Sequence, residues 1–325
     1  MTAEGVVYGV PLRGMRQAFG DALVEAGRRE PRLIVIDCET AIPTFASVFA
    51  SAFPDRFVQM GVAEQNAVSF AAGLATVGLI PLLPLFGCFS TRRGNDQITT
   101  QVAYPKFSVK VMGCYAGLTS PNTGATHQAL QDVALMRSLP NFTVVEPADE
   151  AELRQALPAI IAHPGPVYFR MVRGDVGGTS PVVSPDGYEF RIGRGAVLRS
   201  GRDVTLVGSG LMVSRCLDAA RLLAADGVEA EVINISTIKP LDVDLLVESA
   251  RKTGAVVTAE NHSVIGGLGG AVAEALTAEC PVPIVRVGVH DVFGESGAIE
   301  DLLEHYGLTA SAVVDAAKRV LRARG

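Results

Sequence analysis

The sequence is poor in charge and has no paired cysteine motif. Charged residues make up 19% of its 325 residues against 48% hydrophobic, a balance that excludes a disordered chain. The five cysteines, Cys38, Cys88, Cys114, Cys216 and Cys280, are odd in number, far apart and never spaced CxxC. That excludes a zinc knuckle and a disulfide framework and points to a reduced, cytoplasmic protein. Acidic residues outnumber basic ones, 34 to 28, for a net charge of −6. With Lys and Arg scattered, nucleic acid is excluded as the main partner. The opening segment, MTAEGVVYGVPLRGMRQ, lacks the basic-then-apolar order of a signal peptide.

Several common catalytic patterns are missing as well. Gly208-Ser209-Gly210-Leu211-Met212-Val213 follows a strand pattern but has no third glycine, so it reads as a tight turn rather than a dinucleotide fingerprint. There is no P-loop, GxSxG elbow or HExxH. His163, His290 and His305 fall in loop or helix-surface contexts and carry no expected role.

One absence is misleading. No charged residue occurs from Gln65 to Thr91, a run long enough to cross a bilayer. Gly78, Pro81 and Pro84 would break a single helix there, so the run reads as a buried helix (64–77), a Gly turn and a buried strand (79–86), with no membrane partner. Along the chain, apolar runs at 33–36, 79–86, 109–113, 143–146 and 167–171 alternate with helical patterns at 11–28, 92–103 and 149–161. Strands alternating with helices imply a parallel sheet covered on both faces. A Gly/Pro/Ser-rich linker, 174–195, interrupts the pattern. It then restarts with strands at 204–207, 230–235, 255–260 and 283–287 and helices at 211–226, 243–252, 267–278 and 310–322. The expectation is an α/β protein of two doubly wound domains, 1–185 and 186–325.

Four segments collect near strand ends or helix starts, where ligands of doubly wound sheets bind. They are Gln59-Met60-Gly61-Val62-Ala63-Glu64-Gln65-Asn66-Ala67, Leu85-Phe86-Gly87-Cys88-Phe89-Ser90-Thr91-Arg92-Arg93, Gly124-Ala125-Thr126-His127-Gln128 and Arg170-Met171-Val172-Arg173-Gly174. With Glu260-Asn261-His262 and Asp291-Val292-Phe293-Gly294-Glu295 further on, the chain resembles the transketolase superfamily over nearly its whole length. The resemblance implies a pyrimidine-binding domain for thiamine diphosphate followed by the family's C-terminal domain.

The family's diphosphate and Mg²⁺ site, Gly-Asp-Gly with a later Asn, is not found; the nearest string is Arg173-Gly174-Asp175-Val176. The expectation is therefore the C-terminal subunit of a split transketolase. A fused enzyme would need roughly twice this length. An N-terminal subunit would hold the diphosphate and Mg²⁺, and the pair would assemble as an α2β2 heterotetramer. Alone, the chain would homodimerise at most and bind the cofactor poorly.

The resemblance assigns roles residue by residue. Glu64 would bond the pyrimidine N1′ and favour the imino form able to deprotonate the thiazolium carbon. Taken by itself, Glu64 reads equally as a helix-start residue. Phe89 would stack on the pyrimidine and Phe86 would line its pocket, with Met60 and Gly61 beside them. Arg92 or Arg93 would add a charged contact. His127 would touch the donor hydroxyls and shuttle protons, and Arg173 would bind a sugar phosphate. Arg170 is open between a substrate contact and a strand-end salt bridge.

Two positions depart from the family. Thr123 stands where an Asp reads a donor hydroxyl, and Tyr115 where a His contacts phosphate. Both changes imply ketol transfer, from a ketose donor to an aldehyde acceptor, with an altered substrate. The alternatives are the beta subunit of a 2-oxoacid dehydrogenase decarboxylase component and a regulatory subunit without activity.

Overall fold

The computed structural model describes residues 14–173, 183–185 and 187–324, with the backbone of Val6–Val7 and Val10–Pro11. Residues 174–182 and 186 of the expected linker lie outside the described residues, as do residues 12 and 13 of the first expected helix.

The first sheet takes β1 (Leu33–Asp37), β2 (Phe57–Gln59), β3 (Ile80–Phe86), β4 (Lys110–Cys114), β5 (Thr143–Val145) and β6 (Val167–Met171). All six are parallel, in the order β5-β6-β4-β3-β1-β2. Helices α1 (Met15–Arg29), α2 (Glu64–Thr76), α3 (Gly87–Arg92), α4 (Asp132–Ser138) and α5 (Glu150–Ala162) flank it. The apolar stripe of α1, Met15, Ala18, Phe19, Leu23 and Ala26, recurs at helical spacing and is buried.

The central strand β3 tolerates two prolines because of where they fall. The Ile80 amide donates toward β1, so alternate residues face β1 and β4 in turn. Pro84 faces β1 beyond Leu82, where that pairing ends, and its carbonyl accepts the Thr40 hydroxyl at 2.8 Å instead. Pro81 faces β4 before pairing there begins at Leu82. Neither removes a ladder bond. The uncharged run is thus helix, turn and buried strand, and among the described residues no helix is long and apolar enough to cross a membrane.

The second sheet holds β7 (Ala196–Arg199), β8 (Val204–Gly208), β9 (Ala230–Asn234), β11 (Val256–Ser263) and β12 (Ile284–Val289), in the order β12-β11-β8-β9-β7. Helices α6 (Met212–Ala225), α7 (Val243–Thr253), α8 (Leu268–Glu279), α9 (Ile299–His305) and α10 (Ala310–Arg324) accompany it. The intervening β10 (Thr237–Lys239) leaves this sheet and adds antiparallel to β5 of the first. Ile235, Ile238, Leu246 and Val247 consequently share one apolar cluster with Phe142 and Val144. The two halves are joined through a strand and a core.

One expected element is corrected. The helix drawn at 92–103 is three pieces: α3, a short turn Asn95–Gln97, and a π-helical turn Ile98–Ala103. The helical start moves back to Gly87, which places Phe89 inside α3 and Arg93 at its C-terminal cap.

Candidate active site

The site sits at the C-terminal edge of the first sheet. Asp37 and Phe86 close β1 and β3, Tyr115 follows β4, and Arg173 follows β6. Gly61 adopts φ 68°, a left-handed turn open to glycine at no steric cost, and the chain then enters α2 with Glu64 as its first residue. Met60 is half-buried and its amide bonds to the Asp37 carbonyl at 2.9 Å.

The Glu64 carboxylate is buried, yet it borders an open cleft of about 570 Å³ shared with Gln65, Asn66, Arg92 and Arg93. Arg93 donates to its two oxygens at 3.0 and 3.2 Å. The same guanidinium lies 4.0 Å from the centre of the Phe89 ring. Helical spacing settles which arginine faces the site. Arg93 is four residues after Phe89 and shares its face, whereas Arg92 turns back to the Cys88 carbonyl (3.0 Å) and across to that of Thr126 (2.8 Å).

His127 stands edge-on to Phe89 with ring centres 4.9 Å apart. Its Nδ1 is 2.8 Å from the Thr126 hydroxyl. Burial and then the charges of Arg93 and Arg92 hold the imidazole below its ordinary pKa, which keeps it neutral near pH 7. Phe86 links this cluster to a second: it lies 6.2 Å from His127 and 4.6 Å from Tyr115. Tyr115 in turn carries the Arg173 guanidinium 5.4 Å from its ring centre. Arg173 also lines a cleft of about 250 Å³ with Thr119, Asn122 and Ile299. The result is one wall running from Glu64 through Phe89, His127, Phe86 and Tyr115 to Arg173.

Two expected residues are placed differently. Thr123 is exposed and its hydroxyl is 2.6 Å from that of Ser120. Arg170 is a correction. Its side chain is fully buried and bonds Asp132, Glu146 and the carbonyls of Ala129 and Asn261. No face of it is left for a substrate, and it serves as the tie between the domains. His262 is buried on β11, where burial pushes its pKa down to about 4.

Other residues of the site had no local signal. Arg16 of α1 donates to the Tyr115 hydroxyl at 3.1 Å, and Asp37 binds Gln59 at 2.7 Å and so orders the turn before Glu64. Only tertiary packing brings these groups in. A buried carboxylate at a cleft mouth beside two half-buried phenyl rings suits a flat, protonatable heterocycle, so these residues fit the aminopyrimidine of thiamine diphosphate. Among the described residues no group of three or more His, Cys, Asp or Glu is placed to hold a metal ion.

A doubly wound pair of domains with this wall at the sheet edge is an arrangement that suits a thiamine-type cofactor. Residues 13–178 match the transketolase pyrimidine-binding domain and residues 193–313 the transketolase C-terminal domain, and the chain belongs to the transketolase family. It is 45% identical over 308 residues, 94% of either chain, to the 6-deoxy-6-sulfo-D-fructose transketolase subunit SqwH of Clostridium sp. (strain MSTE9). One of the subunits of the apulose-4-phosphate transketolase of Phocaeicola vulgatus (strain ATCC 8482) is 34% identical over 90% of this chain and 93% of its own. Among solved structures, a split gene transketolase, an inactive beta4 tetramer, superposes with a TM-score of 0.89 at 48% identity, covering 96% of this chain and 99% of that one. The chain is accordingly one subunit of a two-component transketolase, a transferase.

Proposed function

We propose that this chain supplies the pyrimidine half of a thiamine diphosphate site and transfers a two-carbon ketol unit from a ketose donor to an aldehyde acceptor when paired with a diphosphate-binding subunit. The observation that carries the reading is the continuous wall from Glu64 to Arg173. When bound, thiamine diphosphate supplies the nucleophilic carbon that takes up and hands on the two-carbon unit. Glu64 holds the proton at the pyrimidine nitrogen, Phe89 and Phe86 fix the ring plane, and Met60 and Gly61 shape the turn beside it. Neutral His127 accepts and returns protons at the donor hydroxyls. The partner subunit holds the diphosphate and Mg²⁺, in an α2β2 assembly, and this chain alone self-associates without activity; the similar split gene transketolase that is an inactive beta4 tetramer supports that part and points to an assembly larger than the expected dimer. The divide between the two domains falls near residue 185, and the protein works in the cytoplasm, where its free thiols stay reduced.

The donor is a ketose with a terminal anion other than the usual pentose phosphate. Tyr115 and Thr123 remove polar sugar contacts that the family carries, while Arg173 keeps a forked cation at the far end of the wall. The Clostridium and Phocaeicola relatives are named for a sulfonated and a phosphorylated sugar, in keeping with an anionic terminus. Reconstitution with the partner subunit tests this: 6-deoxy-6-sulfo-D-fructose or a comparable anionic ketose is expected to outperform xylulose 5-phosphate with ribose 5-phosphate. A best rate with that last pair would overturn the altered-donor reading. The dehydrogenase alternative is not favoured, since the relatives are transketolase subunits.

A further inference from the structure

We propose that Asn261, on β11 of the second domain, is the positioning residue that sets the buried wall residue Tyr115 and the His127 side chain beside it; the inference rests on the reading that this end of the wall serves the donor. Asn261 is fully buried. Its Oδ1 accepts from the Leu118 amide at 3.1 Å and its Nδ2 donates to the Ala116 carbonyl at 3.2 Å, so one side chain clamps the backbone on both sides of Gly117. The clamp leaves no room at Gly117 itself, where a Cβ would meet the Asn261 side chain at 2.2 Å. Gly117 adopts φ 60°, and Tyr115 adopts φ 61°, a left-handed conformation that a non-glycine residue keeps only when its surroundings enforce it.

The clamped segment passes the constraint on. Gly117 and Ala129 exchange backbone hydrogen bonds at 3.0 and 3.2 Å, two residues beyond His127. The second domain grips the same stretch twice more, through Gln128 to the Glu295 carbonyl (3.0 Å) and through the Ser263 amide to the Leu130 carbonyl (3.0 Å). Glu64, Phe86 and Phe89 sit on other elements, α2, β3 and α3, and none of them bonds to Asn261. Phe86 and Phe89 meet Tyr115 and His127 only through ring contacts, at 4.6 and 4.9 Å, so loss of the clamp acts first on the donor side of the wall and leaves the backbone of the cofactor side in place.

The test uses Asn261→Ser and Asn261→Ala in this chain, assembled with its partner subunit. Donor kcat/KM for 6-deoxy-6-sulfo-D-fructose is expected to fall about ten- to a hundred-fold, with calorimetric thiamine diphosphate affinity within about two-fold of the parent. Cofactor affinity falling in step with donor efficiency, or neither changing, would overturn the proposal. A second readout needs no turnover: in the full chain alone, the His127 imidazole signals in the NMR spectrum should shift in the Ser variant while those of His163 and His305 stay. Unmoved His127 signals would overturn the role of Asn261, whereas a parent complex that transfers nothing would overturn the functional reading alone.

Discussion

Arg93 closes over Glu64 and Phe89 together. Its guanidinium holds the carboxylate at 3.0 and 3.2 Å and lies 4.0 Å from the phenyl centre. A pyrimidine that bonds the same carboxylate and stacks on the same ring must displace it. The Arg93 side chain is 47% exposed and that of Glu64 5%, so the pair belongs to the half-solvated class worth about 0.2–1 kcal/mol. Arg93→Ala should therefore tighten thiamine diphosphate binding in the assembled complex, by up to about five-fold, as read by calorimetry. Weaker binding would mean that Arg93 contacts the bound cofactor instead of making way for it.

Glu64→Gln keeps the shape of the group and removes its charge. Because Glu64 opens α2 and pairs with Arg93, the expected structural cost is a lost helix-end interaction of about 0.3–1 kcal/mol and a lost ion pair of about 0.2–1 kcal/mol, too little to unfold the chain. Turnover should nevertheless fall about 10²–10⁴-fold, the usual share of a positioned acid–base group. Full activity after this change would support the regulatory-subunit alternative.

The architecture was legible where burial and period agree. Helix 64–76 and strand 80–86 lie within a residue of expectation because Gly78 and the two prolines admit one solution. The residues proposed for the cofactor side could be grouped from the sequence because they fall in short contiguous segments. What was not legible depends on register in three dimensions. Which of Arg92 and Arg93 meets Glu64 follows from α3 starting at Gly87, an onset the uncharged run hides. Arg170 stayed open between a substrate contact and a salt bridge because its segment also holds Arg173, and only its enclosure by Asp132, Glu146 and Asn261 decides for the salt bridge. Strand β10 leaves its own sheet for β5, which no local pattern announces.

His127 gives a pH signature. Burial comes first among the causes that lower its pKa, followed by the positive charges of Arg93 and Arg92. Removing a nearby positive charge eases protonation, so Arg92→Gln should raise the imidazole pKa. The acidic limb of the kcat/KM profile should move to higher pH with it, since neutral His127 is the form that accepts a proton. NMR titration of His127 checks the sign directly, and a downward shift would contradict the electrostatic account.

Arg170 carries the final prediction. It donates to Asp132 at 2.8 and 3.3 Å, to Glu146, and to the Ala129 and Asn261 carbonyls at 3.1 and 2.7 Å. Tyr168 and Ser209 supply one further bond each to Asp132 and Glu146, at 2.7 and 2.9 Å. Burial is the largest single influence and raises the Asp132 carboxyl, but the charges of Arg170 and His262 and the Arg170 and Tyr168 hydrogen bonds together outweigh it and hold the group below the usual carboxylate range. Arg170→Met fills the volume and strands two buried carboxylates, so denaturant unfolding at neutral pH should show a loss of about 3–5 kcal/mol. The pH dependence should also reverse. In the parent, the depressed Asp132 pKa gives stability that is present above the ordinary carboxylate range and lost as pH falls through the folded value. In the variant, burial outweighs the Tyr168 bond and the His262 contact that remain and the folded pKa rises, so the native state binds more protons than the unfolded chain and stability grows as pH falls from neutral toward the carboxylate range. A variant whose deficit is the same at pH 7 and at mildly acidic pH would show that Tyr168 and His262 suffice to keep the Asp132 carboxylate charged.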